Sequence, residues 1–155
     1  MLKRQATLCF LMQKGEVLLP MKKRGFGKDR FNGVGGKVEA GETIEEAARR
    51  EVFEEIAVEV GPLKKMATIE FFYRETSKEI WCQEVHVFTA TEWKGTPQES
   101  DEMAPHWFPI QSLPFEKMWS DDPYWLPKVL SGESLKARFH YTPEITIESY
   151  EVTPL

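Results

Sequence analysis

The chain has 155 residues, of which 41% are hydrophobic and 29% charged, and its formal net charge is −5. This length fits one domain over residues 1–155, with a core large enough to fold alone. The acidic balance argues against binding to a nucleic acid polymer, because contact with a phosphate backbone needs a basic surface. Two cysteines, Cys9 and Cys82, cannot build a disulfide framework, which favours a reducing compartment.

The first 16 residues contain an apolar run that is short and interrupted. It fits neither a signal peptide nor a membrane span. We therefore expect a cytoplasmic, monomeric protein that does not contact membranes. No internal repeat or low-complexity tract divides the chain.

The first predicted elements are two strands, Gln5–Met12 and Glu16–Met21, joined by a turn at Lys14-Gly15. A basic triplet, residues 22–24, follows the second strand. It is either solvated surface or a contact for a triphosphate, because it lies directly before a glycine-rich segment. That segment, residues 31–38, resembles a strand broken by glycines into a tight turn, where the backbone can approach a ligand closely.

A helix is predicted from about Ile44 to about Ile56. Thr43 and Glu46 form the capping-box spacing that satisfies backbone amides at a helix start. The apolar stripe of this helix runs into three carboxylates at i, i+3 and i+4, which are Glu51, Glu54 and Glu55.

This placement of three carboxylates is unfavourable without a cation. Like charges at i,i+4 repel, and anions near a helix C-terminus oppose the helix dipole. Mg²⁺ would remove the conflict, because it takes oxygen ligands and often shares them with substrate phosphates. The alternative is a solvated acidic face. We favour the metal site, since the carboxylates continue the apolar face.

The following segments predict a hairpin of strands Lys65–Tyr73 and Glu79–Ala90, with a polar turn at residues 74–78. The acidic loop Glu99–Glu102 could lend one more carboxylate to the metal site or simply be solvated. A short strand follows at His106–Phe108. The three histidines lie far apart without metal-ligand spacing, so we interpret them as structural.

Acidic and aromatic residues alternate in the segment 115–125. Asp122 and Pro123 predict an N-cap and first turn for a helix to about Leu130, with Gly132 just past its end. Capping explains one aspartate, but not two among methionine and tryptophans. Such a cluster is either core or a platform for a planar polar ligand. Two closing strands, residues 135–141 and 145–152, complete the chain.

The helix segment resembles the Nudix box, G-x5-E-x7-R-E-U-x-E-E-x-G-U, where U is aliphatic. The matching residues are Gly36, Glu42, Arg50, Glu51, Val52, Glu54, Glu55 and Val58. Ala57 departs from the pattern, because the family has glycine there. This resemblance implies an α/β/α sandwich, a mixed β-sheet flanked by the Nudix-box helix and a second, C-terminal helix.

Further segments, among them MKKRGFG, GTPQESDEM and MWSDDPYW, resemble the Nudix branch that hydrolyses oxidised purine nucleoside triphosphates. That branch implies sanitation of the nucleotide pool, which prevents DNA damage, by cleavage of 8-oxo-dGTP and 2-hydroxy-dATP to monophosphate and pyrophosphate. The implied cofactor is Mg²⁺, or alternatively Mn²⁺. By position, the metal residues would be the Gly36 carbonyl, Glu51, Glu54, Glu55 and Glu102.

The same resemblance implies a base-binding pocket. Asn32, Asp121 and Asp122 would read the base, and Trp119 would stack on it. The remaining pocket residues would be Thr7, Phe26, Phe71, Met103 and Trp125, with Lys22 from the basic triplet facing the phosphates. No residue is carried over from Ser77 to Glu84, because the alignment is uncertain there.

In the expected mechanism, the metal-bound carboxylates support attack of water on phosphorus. Glu54, Glu55 and Glu102 are all candidates for the general base. Arg50 is expected to orient a neighbouring glutamate, and Glu42 to tie the loop to the helix. Three alternatives remain: a Nudix hydrolase for another nucleoside diphosphate derivative, a non-catalytic nucleotide-binding module, and an interaction module with an acidic helix.

Overall fold

The computed structural model describes residues 3–75 and 78–155. Its strands are β1 Lys3–Gln13, β2 Glu16–Leu18, β3 Met21–Lys22, β4 Glu59–Val60, β5 Lys64–Glu75, β6 Lys78–Ala90, β7 Trp93–Lys94, β8 Met103–Ala104, β9 Trp107–Pro109, β10 Leu135–Tyr141 and β11 Ile147–Pro154. The helices are α1 Ile44–Ile56 and α2 Asp122–Leu130, and a 3₁₀ turn covers Phe115–Lys117.

Seven strands form one mixed sheet in the order β11-β10-β5-β6-β1-β2-β9. β1 pairs with β6 and β10 with β5 in parallel, while the other neighbours are antiparallel. Two short ribbons, β3-β8 and β4-β7, lie beside the sheet. The ribbon β3-β8 carries the acidic loop of residues 99–102 next to the basic triplet, because β8 follows that loop directly.

The two helices cover opposite faces of the sheet. Alternation along β1 sends Phe10 to one face and Cys9 to the other, as the period of two requires. Phe10 packs with Trp125 and Leu126 of α2, whereas Cys9 belongs to the cluster that contains Val52 of α1. The α/β/α sandwich expected from the sequence is therefore confirmed.

The first helix spans the predicted residues. Thr43 accepts a hydrogen bond from the Glu46 amide at 3.1 Å, and the Glu46 carboxylate accepts one from the Thr43 amide at 2.9 Å. The reciprocal pair satisfies two amides at the helix start. At the other end, Ala57 adopts the left-handed conformation with φ 59° and donates its amide hydrogen to the Phe53 carbonyl.

The prediction that Asp122 is the N-cap of the second helix was wrong. Asp121 occupies that position, its side chain makes no capping bond, and Asp122 is already helical. Both carboxylates are instead buried, with 3% of Asp121 and 2% of Asp122 exposed. The Asp121 carboxylate binds Trp125 and Tyr141 in place of a capping bond.

Three strand predictions need correction. Residues 31–38 form single bridges at Phe31, Val34 and Lys37 rather than a strand, because the glycines between them interrupt a ladder. The second predicted strand divides into β2 and β3, since Pro20 lies between them. The hairpin β5-β6 is present but longer than predicted, because Arg74, Glu75 and Lys78 lie in its strands. The rest of the expected turn, residues 76–77, lies outside the described residues.

No helix within residues 3–75 and 78–155 is long and apolar enough to cross a membrane.

Candidate active site

A cavity of about 210 Å³ opens beside the α2 face of the sheet. Ligand pockets for drug-sized molecules usually measure about 300–1,000 Å³, so this volume fits a planar base better than a whole nucleotide. The lining residues that the sequence singled out are Thr7, Lys22, Phe26, Asn32, Gly36, Phe71, Met103, Trp119, Asp121, Asp122 and Trp125. The structure thus brings together every residue expected to bind the base.

The acid pair Asp121-Asp122 forms one end of the cavity. Asp121 accepts a hydrogen bond from Trp125 Nε1 at 2.7 Å on Oδ2 and one from the Tyr141 hydroxyl on Oδ1. Asp122 Oδ2 is buried and has no hydrogen-bond partner. Burial raises the pKa of Asp121, and burial together with the charge of Asp121 raises the pKa of Asp122 well above its usual range.

Aromatic and amide groups flank the acid pair. The Trp119 ring lies 5.0 Å from the Phe26 ring, and the Arg30 guanidinium lies 4.3 Å from the Trp119 centroid. Asn32 Oδ1 accepts a hydrogen bond from the Gly33 amide at 2.8 Å. That bond orients the side chain so that its amino group is the donor offered to a ligand.

The basic triplet divides between two environments. Lys22 lines the cavity. Lys23 pairs with Glu99 and donates to the Ser100 carbonyl at 2.8 Å, while Arg24 pairs with Glu102 at 2.6 Å. Of the three cations, Lys22 is therefore the one placed to meet a phosphate in the cavity.

Two carboxylates of α1 lie behind the glycine turn at the other end of the cavity. A Cβ built on Gly36 would lie 2.6 Å from the Glu51 carboxyl carbon, so a side chain there would displace the Glu51 carboxylate. The Glu55 carboxyl group lies beside the Gly35 backbone and the Glu51 carboxylate. Burial, reinforced by the charge of Glu51, raises the pKa of Glu55 to about 8. Gly35 and Gly36 line the cavity as well, so they form the boundary between it and these carboxylates.

Arg50 connects this carboxylate cluster to the preceding loop. Its guanidinium binds Glu42 through two hydrogen bonds, at 2.6 and 3.0 Å. It also donates to Glu51 at 2.9 Å and to Glu54 at 3.2 Å. The expected contacts of Arg50 with a neighbouring glutamate and of Glu42 between loop and helix are both present.

The carboxylates expected to bind metal are only partly assembled. Within the described part of the chain, no three histidine, cysteine, aspartate or glutamate side chains are close enough to hold a metal ion. Glu54 and Glu102 are half-exposed and face Arg50 and Arg24, respectively. Their role as ligands stays a prediction.

The Glu51-Glu55 pair nevertheless fits a divalent cation. Glu55 Oε2 is buried without a hydrogen-bond partner, and two carboxyl groups in contact supply the hard oxygen donors that Mg²⁺ prefers. The Gly36 carbonyl accepts a hydrogen bond from the Thr7 amide at 2.9 Å, and its second lone pair can still coordinate a cation.

The histidines have structural contacts. His86 hydrogen-bonds Gln5 and Lys65 at 2.7 Å each. His106 packs edge-on against Phe31, and His140 stacks on Phe72. These contacts agree with the interpretation made from their spacing.

Residues 1–129 match the family description "NUDIX domain". The chain belongs to the Nudix family. It is similar to the Nudix proteins named oxidized purine nucleoside triphosphate hydrolase of zebrafish (Danio rerio) and mouse (Mus musculus). The zebrafish protein is 48% identical over 136 residues, covering 87% of this chain and 85% of that protein; the mouse protein is 44% identical over 146 residues, covering 94% and 92%.

Among solved Nudix structures, the crystal structure of the MutT mutator protein from Bacillus halodurans superposes with a TM-score of 0.87. The two chains are 28% identical, and the match covers 96% of this chain and 97% of that one. The mixed sheet and both helices therefore follow the Nudix fold.

The lining of this Nudix cavity also includes residues that the sequence did not single out, among them Arg30, Tyr73, Gln83 and Val85. Tyr141 itself reaches the site through its bond to Asp121. Alternation along β10 places Tyr141 on the buried face, which was a usable signal for a buried tyrosine. Its contact with Asp121 depends on long-range packing that no local pattern reveals.

Proposed function

We propose that this Nudix hydrolase cleaves oxidised purine nucleoside triphosphates to the monophosphate and pyrophosphate, and so sanitises the nucleotide pool. The observation that carries the proposal is the single cavity described above. An acid pair and aromatic rings form one end, and glycines backed by the Nudix carboxylates form the other. The names of the zebrafish and mouse relatives support the same substrate class.

The base-binding end would hold the purine. Trp119 offers its ring for stacking, while Asp121, Asp122 and Asn32 face the polar edge of the base. The remaining wall is formed by Thr7, Phe26, Phe71, Met103 and Trp125. Because the carboxyl groups of Asp121 and Asp122 are buried and polar, an analogue that leaves them unpaired loses affinity steeply.

Mg²⁺, or alternatively Mn²⁺, would be held by the Gly36 carbonyl, Glu51, Glu54, Glu55 and Glu102. When bound, the metal supplies neutralisation of phosphate charge and activation of a water molecule. Through the hydrogen bonds given above, Arg50 fixes the positions of Glu51 and Glu54 relative to the loop that carries Glu42. One of Glu54, Glu55 and Glu102 accepts the proton of the attacking water.

The position of the base determines which phosphate is attacked. A purine anchored at Asp121 and Asp122 places the ribose towards Gly36, so the α-phosphate is nearest to Glu51 and Glu55. Lys22 then meets the phosphates at the rim of the cavity. This arrangement favours release of pyrophosphate. We further propose that the protein acts as a cytoplasmic monomer made of one domain, in line with its low net charge and two buried thiols.

A substrate screen tests the proposal. Hydrolysis of 8-oxo-dGTP, 2-hydroxy-dATP, dGTP, a nucleotide sugar and a dinucleoside polyphosphate is measured with Mg²⁺ and with EDTA. We expect magnesium-dependent turnover of the two oxidised nucleotides and little turnover of dGTP. Preferred turnover of the nucleotide sugar or the dinucleoside polyphosphate would contradict the proposal, and so would binding without hydrolysis.

A further inference from the structure

The hydroxyl of Tyr141, on β10, donates a hydrogen bond to Asp121 of the acid pair, and Tyr73 of the neighbouring strand β5 lies beside it in the cavity wall. Tyr141 is buried, with 1% of its surface exposed, and its ring stacks on Tyr73 at 5.4 Å. The ring is thus held by packing on the sheet. The hydroxyl can therefore donate its hydrogen bond to Asp121 without a change in the ring position.

Asp121 accepts one hydrogen bond on each carboxylate oxygen. Trp125 Nε1 is a donor only, and it occupies Oδ2 at 2.7 Å. The Tyr141 hydroxyl donates to Oδ1. A proton on either oxygen of Asp121 would weaken the bond that this oxygen accepts, so the two donors favour the ionised form of Asp121, whose remaining lone pairs can still accept from a ligand.

Asp122 has the opposite environment. Its Oδ2 is buried and has no hydrogen-bond partner, and its neighbour Asp121 carries the charge. Since two adjacent carboxylates in a dry site share one proton, the proton belongs on Asp122. Asp121 then accepts from a ligand, and Asp122 donates to it.

We propose that the Tyr141 hydroxyl fixes this acceptor–donor order and thereby determines which oxidised purine the pocket binds more tightly. The inference rests on the proposed function, because it assumes that a purine occupies the cavity. Guanine carries an acceptor, O6, where adenine carries a donor, the N6 amino group. A fixed order therefore favours one of these two edges over the other.

Tyr141→Phe removes the hydroxyl and keeps the ring. Without the hydroxyl, Oδ1 of Asp121 becomes available for the shared proton, and the pair can present either order. The preference between guanine-type and adenine-type ligands then weakens. Tyr141 is in this sense a positioning residue, since it acts on the ligand through Asp121.

The test is calorimetric titration with 8-oxo-dGMP and 2-hydroxy-dAMP in EDTA, which does not depend on turnover. The proteins are the wild type, Tyr141→Phe and Tyr150→Phe. Tyr150 is the control, because it is a tyrosine that stacks on a core ring, Phe139, but lies on β11 and is 50% exposed. We expect the ratio of the two dissociation constants to move towards unity by about tenfold in Tyr141→Phe, as for a lost hydrogen bond to a charged group. In Tyr150→Phe the ratio should stay at the wild-type value.

A pH series separates this role from simple packing. The ionisable groups around the pair are Tyr73 on β5 and Tyr141 on β10, with Lys22 and Arg30 lining the same cavity. The ratio of the two dissociation constants should be constant across neutral pH in the wild type and should vary with pH in Tyr141→Phe. If Tyr141→Phe does not fold, Trp125→Phe removes the other donor and should weaken the preference in the same way.

An unchanged ratio in a folded Tyr141→Phe protein would overturn the inference, and so would an equal change in Tyr150→Phe. Failure of both nucleotides to bind the wild type at millimolar concentration would overturn it as well. The proposed function is judged separately by the hydrolysis screen. If the wild type hydrolyses both oxidised nucleotides and Tyr141→Phe keeps the wild-type ratio of dissociation constants, the proposed function stands and the inference about Tyr141 is wrong.

Discussion

Replacing Ala57 with glycine should stabilise the protein. Ala57 ends α1 with φ 59° and ψ 34°, and this left-handed conformation costs a residue with a Cβ roughly 1–2 kcal/mol. Glycine avoids that cost but makes the unfolded chain more flexible, which offsets roughly 0.5–1 kcal/mol. Because Ala57 is exposed, its methyl group adds little burial. The difference is a gain of about 0.5–1 kcal/mol in the free energy of unfolding.

Urea denaturation followed by tryptophan fluorescence measures this gain. For a chain of this size, a gain of that order raises the melting temperature by about 1–4 °C. Ala40→Gly is the matched control, because Ala40 is also exposed and lies outside the left-handed region. It should lose about 0.5–1 kcal/mol. Equal losses in both variants would refute the argument that Ala57 is strained.

Three further predictions concern the active site. Glu55→Gln should lose most magnesium-dependent turnover while the protein stays folded, and turnover within a factor of about three of the wild type, roughly 1 kcal/mol of barrier, would exclude Glu55 as a ligand. Product analysis should find pyrophosphate and monophosphate, and a main yield of inorganic phosphate with the diphosphate would contradict the proposed orientation of the substrate. The contribution of Asp122 to the stability of the ligand-free protein should fall as the pH rises above 3.8, the usual pKa of Asp122, because an acid with a raised pKa in the folded state stabilises below its unfolded pKa and loses that contribution on ionisation. Asp122→Asn should flatten this dependence in urea titrations at several pH values, and an unchanged slope would show that Asp122 is not the group responsible.

A local sequence signal predicted the start of α1. The capping box of Thr43 and Glu46 is a pair of contacts three residues apart, so no knowledge of the rest of the fold is needed there. The end of the helix has no such signal, because Ala57 stands where a glycine would mark the left-handed conformation that the structure shows.

The same reasoning failed at α2 because tertiary contacts outweigh a local cap there. An aspartate before a proline is a good N-cap by sequence. In the folded protein, Asp121 instead binds Trp125 one turn later and Tyr141 from β10. The parallel pairing that puts Tyr141 beside Tyr73 joins segments almost seventy residues apart, which no window of sequence reveals.

The hydrogen bond between Asp121 and Trp125 links the base end of the cavity to the first turn of α2. If that turn unfolds locally, the Asp121 carboxylate loses its orientation. A ligand that needs Asp121 therefore binds only those protein molecules in which the turn is formed. Such a ligand at a hundredfold excess over its dissociation constant would stabilise the turn by about 2.7 kcal/mol. Backbone amide hydrogens near the start of α2 would then exchange with solvent about a hundredfold more slowly, and their exchange would report occupancy of a site that they do not touch.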